Sequence, residues 1–170
     1  MGLKWCFWLI FSLFTVGYAE VQGQNIGGLY FDALSSNNMD RIEIELEKLK
    51  AAKSTPFVRA CQGALLMKLA NFQKGAPAKI QHFKKGRELL ENEINQFPQV
   101  VEFRFLRLTV QENAPSLLKY QDQIKEDVQI ILEGFHGLDK TFQKAVSSYA
   151  RQSKHLSEEK LSEGDKVLKK

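Results

Sequence analysis

Two sets of residues in this sequence have types and spacings that suit chemistry, and the smaller set is a thiol with a histidine. A thiol activated by a nearby imidazole is a nucleophile, so Cys61 and His82 are consistent with a small hydrolase or transferase. However, Cys61 shares a helical stripe with Val58 and Leu65, and a cysteine on such a stripe behaves as a small buried hydrophobic residue. We therefore expect Cys61 to be a core residue.

The larger set consists of four polar residues within one largely apolar run: Glu102, Arg104, Arg107 and Gln111. Guanidinium groups held this close to a core need carboxylate or carbonyl partners. One interpretation is an internal ion-pair network, for instance with Glu91 or Asp127, that fixes the register of the helices. The other is a pocket for an anion or a peptide carboxylate. We favour the first and keep the second open.

The remaining residues with chemical potential form no recognisable site. His82, His136 and His155 are scattered, without the paired spacing or acidic companions of a metal site, and no glycine-rich phosphate loop is present. We expect no catalytic residue, no metal and no cofactor. Tyr120 and Tyr149 are predicted to line a groove for a segment of a partner protein.

An export signal is predicted at the N-terminus. Lys4 precedes an apolar run from Trp5 to Val16, and the small residues around Ala19 follow, which is the pattern of a cleavable signal peptide over residues 1–19. The run is shorter than the ~20 residues that a membrane-spanning helix needs. We expect cleavage near Ala19 and a periplasmic or extracellular protein.

The charge pattern argues against nucleic acid as a partner. The chain has 24 Lys and Arg against 20 Asp and Glu, for a net charge of +4, and both signs are mixed along every segment instead of forming a basic face. Residues 20–151 are predicted to form one helical domain, and residues 152–170 a charged tail that is frayed or disordered. Peripheral contact of this tail with a membrane surface stays open.

Helical periodicity runs through the chain from Asn38 onward, and it predicts six helices. Their approximate ranges are 38–53, 56–73, 77–96, 99–113, 115–134 and 138–151, and a short additional helix is suggested over residues 25–35. The range 115–134 has the cleanest amphipathic stripe, from Leu117 through Tyr120 to Phe135.

The fourth range differs from the others because its apolar residues occupy two opposite faces. Val101, Phe105 and Leu108 form one stripe, and Phe103, Leu106 and Val110 form the other. This arrangement indicates a helix packed between two layers. The same residues also alternate with a period of two, so a strand is an alternative, but a lone strand would leave its backbone groups without partners.

The predicted helices are separated by only a few residues, and helices joined by short turns fold back as antiparallel hairpins. The segment from Ala78-Lys79 through Phe83, Gly86 and Leu89-Leu90 to Phe97-Pro98 resembles the second helix of a tetratricopeptide-type repeat. The whole mature chain, after the predicted signal peptide, more closely resembles a family of small exported bacterial helical proteins of uncharacterised function. The residues that carry this likeness are Leu29-Tyr30-Phe31, Lys79, Phe83-Lys84-Lys85-Gly86, Leu89-Leu90-Glu91, Pro98, Glu102 to Arg107, and Pro115 through Tyr120 to Asp127.

The hairpins and the resemblance together imply an all-α fold, in which antiparallel hairpins stack as a short tetratricopeptide-like right-handed solenoid or bundle. The resemblance implies no chemistry. We expect a non-catalytic interaction or structural module that presents a helical surface to another envelope or secreted protein. The alternatives are a small hydrolase or transferase that uses Cys61 or an Arg/Glu pocket and, behind it, a membrane-surface or lipid-binding helical protein.

Overall fold

A computed structural model describes residues 27–167, and this part of the chain is all-α, with eight helices and no strand. The helices are α1 (Gly27–Ser35), α2 (Met39–Ala51), α3 (Pro56–Leu69), α4 (Ala76–Gln96), α5 (Val101–Gln111), α6 (Ile124–Gly134), α7 (Lys140–Ala150) and α8 (Glu158–Val167). The expected all-α class is confirmed. The predicted signal peptide lies outside the described residues.

Several helices begin at a side chain that caps the first backbone amides. Asn38 accepts a hydrogen bond from the amide of Arg41 at the start of α2, and Thr55 does the same for Val58 at the start of α3. Asp139 accepts from two amides at the start of α7. These residues satisfy donors that a helix cannot pair internally, so they fix where each helix begins.

The buried apolar residues form two clusters, and α5 contributes to both. Phe103, Leu106 and Val110 pack in the first cluster, with residues of α1 to α4. Phe105 and Leu108 pack in the second cluster, with residues of α6 to α8. The segment 101–111 is therefore a helix between two layers, and the two stripes predicted from the sequence are the two faces that it buries.

The helix predicted over residues 115–134 is wrong in its first half. Ser116–Leu118 form a 3₁₀ turn, Lys119 adopts a left-handed conformation with φ of 46°, and α6 begins only at Ile124. Leu117 is 89% exposed, whereas Tyr120 is buried. The left-handed residue reverses the chain and turns Tyr120 into the first cluster, where its ring meets Phe83 edge-on at 5.5 Å. Burial of this ring outweighs the local helical pattern.

The structure also differs from the prediction that the chain from residue 152 onward is a frayed or disordered tail. Leu156 and Leu161 are buried in the second cluster, and α8 contacts α6 and α7. The segment therefore closes one side of the second layer. Two apolar residues five positions apart in a charged stretch are too few to reveal a helix by periodicity.

α3 and α4 approach each other closely where Gly63 and Gly86 face across the interface. A Cβ atom on Gly63 would lie 2.7 Å from the carbonyl oxygen of Gly86, and one on Gly86 would lie 2.5 Å from the carbonyl oxygen of Gly63. Backbone atoms cannot yield as a flexible side chain can, so the spacing of these helices depends on both glycines.

We predict that Gly63→Ala lowers the free energy of unfolding by about 1–3 kcal/mol, the usual cost of an overpacked interface. Urea denaturation followed by circular dichroism measures this change. Gly137→Ala is the matched control, because no atom beyond its two chain neighbours lies within 4 Å of the added carbon, and it should change stability by less than about 0.5 kcal/mol. Equal effects of the two substitutions would contradict the close approach.

Candidate functional site

Asp127 is a fully buried carboxylate that joins α5 to α6. Its Oδ1 accepts hydrogen bonds from Arg107 Nη2 at 2.7 Å and from Arg104 Nη1 at 3.1 Å, and its Oδ2 accepts from Arg107 Nε at 2.8 Å. Arg104 and Arg107 are each 4% exposed, and Asp127 is 0% exposed. Arg107 thus binds the carboxylate in the bidentate geometry that suits a guanidinium group.

The network extends to α4 through Glu91. Arg107 Nη1 donates to Glu91 Oε2 at 2.8 Å, and the Tyr120 hydroxyl donates to Glu91 Oε1 at 2.5 Å. Arg87 lies 5.0 Å from the centre of the Tyr120 ring, on its face. One chain of polar contacts therefore holds α4, α5, α6 and the turn that contains Tyr120.

Arg104 has its own set of partners at the edge of the network. Its Nε donates to the carbonyl oxygen of Pro98 at 2.8 Å, and its Nη2 lies 3.0 Å from Glu126 Oε1. Glu126 is half exposed, so this contact is partly screened by water. Each nitrogen of both guanidinium groups therefore has a protein acceptor within 3.1 Å.

Burial and ion pairing act against each other in this cluster. Burial raises the pKa of Asp127, and the hydrogen bonds and charges of Arg107 and Arg104 oppose that rise. Burial lowers the pKa of Arg107, but Asp127 and Glu91 outweigh it and raise the pKa overall. Asp127 and Glu91 therefore favour the charged form of Arg107 against the effect of burial.

The other two members of the predicted constellation lie apart from this network. Gln111 is buried and donates to Gln123 Oε1 at 3.2 Å, while its own side-chain oxygen has no hydrogen-bond partner among residues 27–167. Glu102 is half-buried, and burial raises the pKa of its carboxyl group. The structure thus brings together only Arg104 and Arg107 of the four, with the acidic residues Asp127 and Glu91 named from the sequence as their partners.

Cys61 lies in the first cluster with 0% exposure, as expected for a core residue. Burial raises the pKa of its thiol, although a contact with the Tyr30 hydroxyl opposes that rise. A raised pKa favours the thiol over the nucleophilic thiolate. His82 Nδ1 is paired with the carbonyl oxygen of Ala78 in its own helix, at 3.0 Å.

A cleft of about 810 Å³ opens on the face where α1, α3, α5 and α7 meet. Its apolar lining includes Phe31, Leu34, Met67, Phe83, Phe105 and Val110. Tyr149 lines this cleft. Tyr120 does not, because it is 1% exposed within the first cluster. The prediction of Tyr120 as a groove residue is therefore wrong, and the reason is the chain reversal at Lys119.

Glu112 stabilises one wall of the cleft. Its Oε2 accepts from the Tyr149 hydroxyl at 2.5 Å, and its Oε1 accepts from the Ser153 hydroxyl at 2.7 Å and from the amides of Lys154 and His155 at 3.1 and 3.0 Å. These contacts tie the end of α5 to the segment between α7 and α8. Sequence reasoning missed Glu112, since nothing in its neighbourhood sets it apart from other surface acids.

Lys68 is the other residue that the sequence interpretation missed. It lines the cleft, is half-buried, and makes no side-chain hydrogen bond or ion pair within the described part of the chain. Burial lowers the pKa of its amine. The available signal was a single cation within the otherwise apolar end of α3, Gly63 to Ala70.

Three further observations concern the whole described region. Residues 27–167 contain no group of three His, Cys, Asp or Glu side chains that could hold a metal ion. Within the same residues, no helix has the length and apolar character to cross a membrane. The sequence matches no known protein family, and neither a curated protein nor a solved structure is significantly similar to it.

We predict that Asp127→Asn lowers the free energy of unfolding by about 3–5 kcal/mol, because it leaves two buried guanidinium groups without their shared anion. Glu126→Gln is the matched control. It removes a neighbouring carboxylate whose side chain is 57% exposed, so it should cost no more than about 1 kcal/mol. Urea denaturation of both variants measures the difference, and a similar small loss in both would show that Asp127 does not hold the network together.

Proposed function

We propose that this chain is an exported, non-catalytic helical module that binds another envelope or secreted protein through the cleft between α1, α3, α5 and α7. In this proposal the chain leaves the cytoplasm after cleavage near Ala19, as expected for a member of the small exported helical family that it resembles. The observation that carries the proposal is the cleft itself, whose volume of about 810 Å³ lies within the range of ligand-binding clefts.

The composition of the cleft supports a binding role. Aromatic and aliphatic side chains alternate with amides, hydroxyls and lysines around it, and this mixture is typical of surfaces that bind a partner through an apolar centre and a polar rim. Phe31 joins the cleft to the core, because its ring lies 4.7 Å from that of Phe142 and 5.6 Å from that of Phe105. A rigid wall of this kind limits the entropy lost on binding.

The arrangement of consecutive helices supports the stacked architecture that the proposal includes. α2 packs on α3, α3 on α4 and α5 on α6, as expected of a short tetratricopeptide-like stack of antiparallel helix pairs. Such stacks present continuous surfaces built from several helices. A module of this kind would act by holding a partner and not by transforming it.

The experiment is affinity capture from envelope extract with the purified protein and two variants. Ser148→Glu places a long anionic side chain at an exposed position that lines the cleft. Gln129→Glu adds the same charge at an exposed position of α6 that does not line it. We expect proteins captured by the wild type to be retained by Gln129→Glu and reduced about tenfold or more by Ser148→Glu, which corresponds to a loss of at least ~1.4 kcal/mol of binding free energy.

Thermal melts should first show that both variants fold like the wild type. The proposal fails if Ser148→Glu captures the same proteins in the same amounts, or if no protein is retained above the level of the bare resin.

A further inference from the structure

We propose that the cleft recognises an extended peptide segment that carries an acidic side chain between apolar ones, and that Lys68 pairs with that acidic group. This inference rests on the proposed function and names the element of the partner that the cleft would hold. It assigns a ligand-binding role to a lysine that the folded protein itself leaves unsatisfied.

The first step is the state of Lys68. Partial burial removes water from an ammonium group, and this costs free energy. Without a carboxylate nearby, nothing offsets that cost unless a ligand supplies a negative charge. Lys68 is half-buried and lines the cleft. Burial also lowers the pKa of Lys68, and a carboxylate beside the amine would stabilise its charged form.

The second step is the charge around Lys68. Lys144 and Lys154 are exposed residues on the rim of the cleft, and the acidic residues that line it are Asp32 and Glu112. Glu112 accepts four hydrogen bonds within the protein and is therefore committed to the wall. Asp32 is exposed to water. The cleft consequently offers more positive than negative charge to a ligand, which is complementary to an anionic group.

The third step is the apolar surface next to that charge. Phe31, Ala145 and Tyr149 line the cleft together with Lys68, and each of them is half-buried. An anion that pairs with Lys68 binds most tightly when apolar groups of the same ligand cover these neighbouring side chains, since this removes water from the ion pair. A free inorganic anion would leave this surface exposed.

The fourth step favours a peptide over a simple amphiphile. Asn37, Asn71 and Gln152 are exposed on the lining of the cleft and make no side-chain hydrogen bond to other described residues. Each side-chain amide offers both donors and an acceptor, which match the N–H and C=O groups that an extended backbone presents. A hydrocarbon chain would leave all three amides without partners along its length.

The test is a nuclear magnetic resonance titration of the protein, purified after expression of the full chain, with hexapeptides blocked at both ends. Three peptides contain one Glu flanked by Leu and Phe in different orders, and three matched peptides contain Gln instead. We expect shifts at residues lining the cleft, and about tenfold tighter binding of the best Glu peptide than of its Gln counterpart, as for one charge-assisted contact. In Lys68→Gln this ratio should fall to about one.

Lys79→Gln is the control, because Lys79 is exposed on α4 outside the cleft, and it should keep the tenfold preference. The inference is overturned if no peptide binds, if the preference for Glu survives in Lys68→Gln, or if decanoate shifts the same residues at lower concentration than any peptide. Capture of a partner that depends on the cleft, without peptide binding, would refute this inference and leave the proposed function standing.

Discussion

The fold depends on one constraint: α5 is enclosed on all sides. Every residue from Phe103 to Gln111 is buried, so a helix that carries two arginines has no route to water for them. A buried guanidinium group without a partner is far too costly to persist, and Asp127 supplies the partner to both. The position of α6, where Asp127 lies in the first turn, follows from this requirement.

The same requirement shapes the surroundings of α5. Arg107 reaches Glu91 on α4, and Glu91 in turn accepts a hydrogen bond from Tyr120, which can reach it only because the chain reverses at Lys119. Buried ion pairs add little net stability compared with apolar residues of the same size, but they penalise every arrangement in which a partner is missing. We interpret this network as the element that sets the register of α4, α5 and α6. Arg104 and Arg107 are both paired in this network, and the cations that line the cleft are lysines.

Sequence reasoning predicted what periodicity and burial determine. The two stripes of α5, the buried state of Cys61 and the acidic partners of the arginines all follow from where apolar residues recur and from the cost of isolated charge. It did not predict the turn around Lys119, since the local pattern of Leu117, Tyr120 and Ile124 is helical and only the distant contact of Tyr120 with Glu91 and Phe83 breaks it. Of the residues that line the cleft, only Tyr149 was predicted to lie in a groove, because the walls of the cleft come from helices far apart in the chain. Lys68 could not be singled out, since only the absence of a neighbouring carboxylate in the folded protein sets it apart.

Amide hydrogen exchange in α5 tests the central role of this helix most directly. If α5 is the enclosed element on which both layers depend, its amides from Phe105 to Gln111 should exchange only through global unfolding, with the same opening free energy that urea denaturation gives for the whole protein. Exchange of these amides through local opening, while the amides of α3 stay protected, would contradict the account.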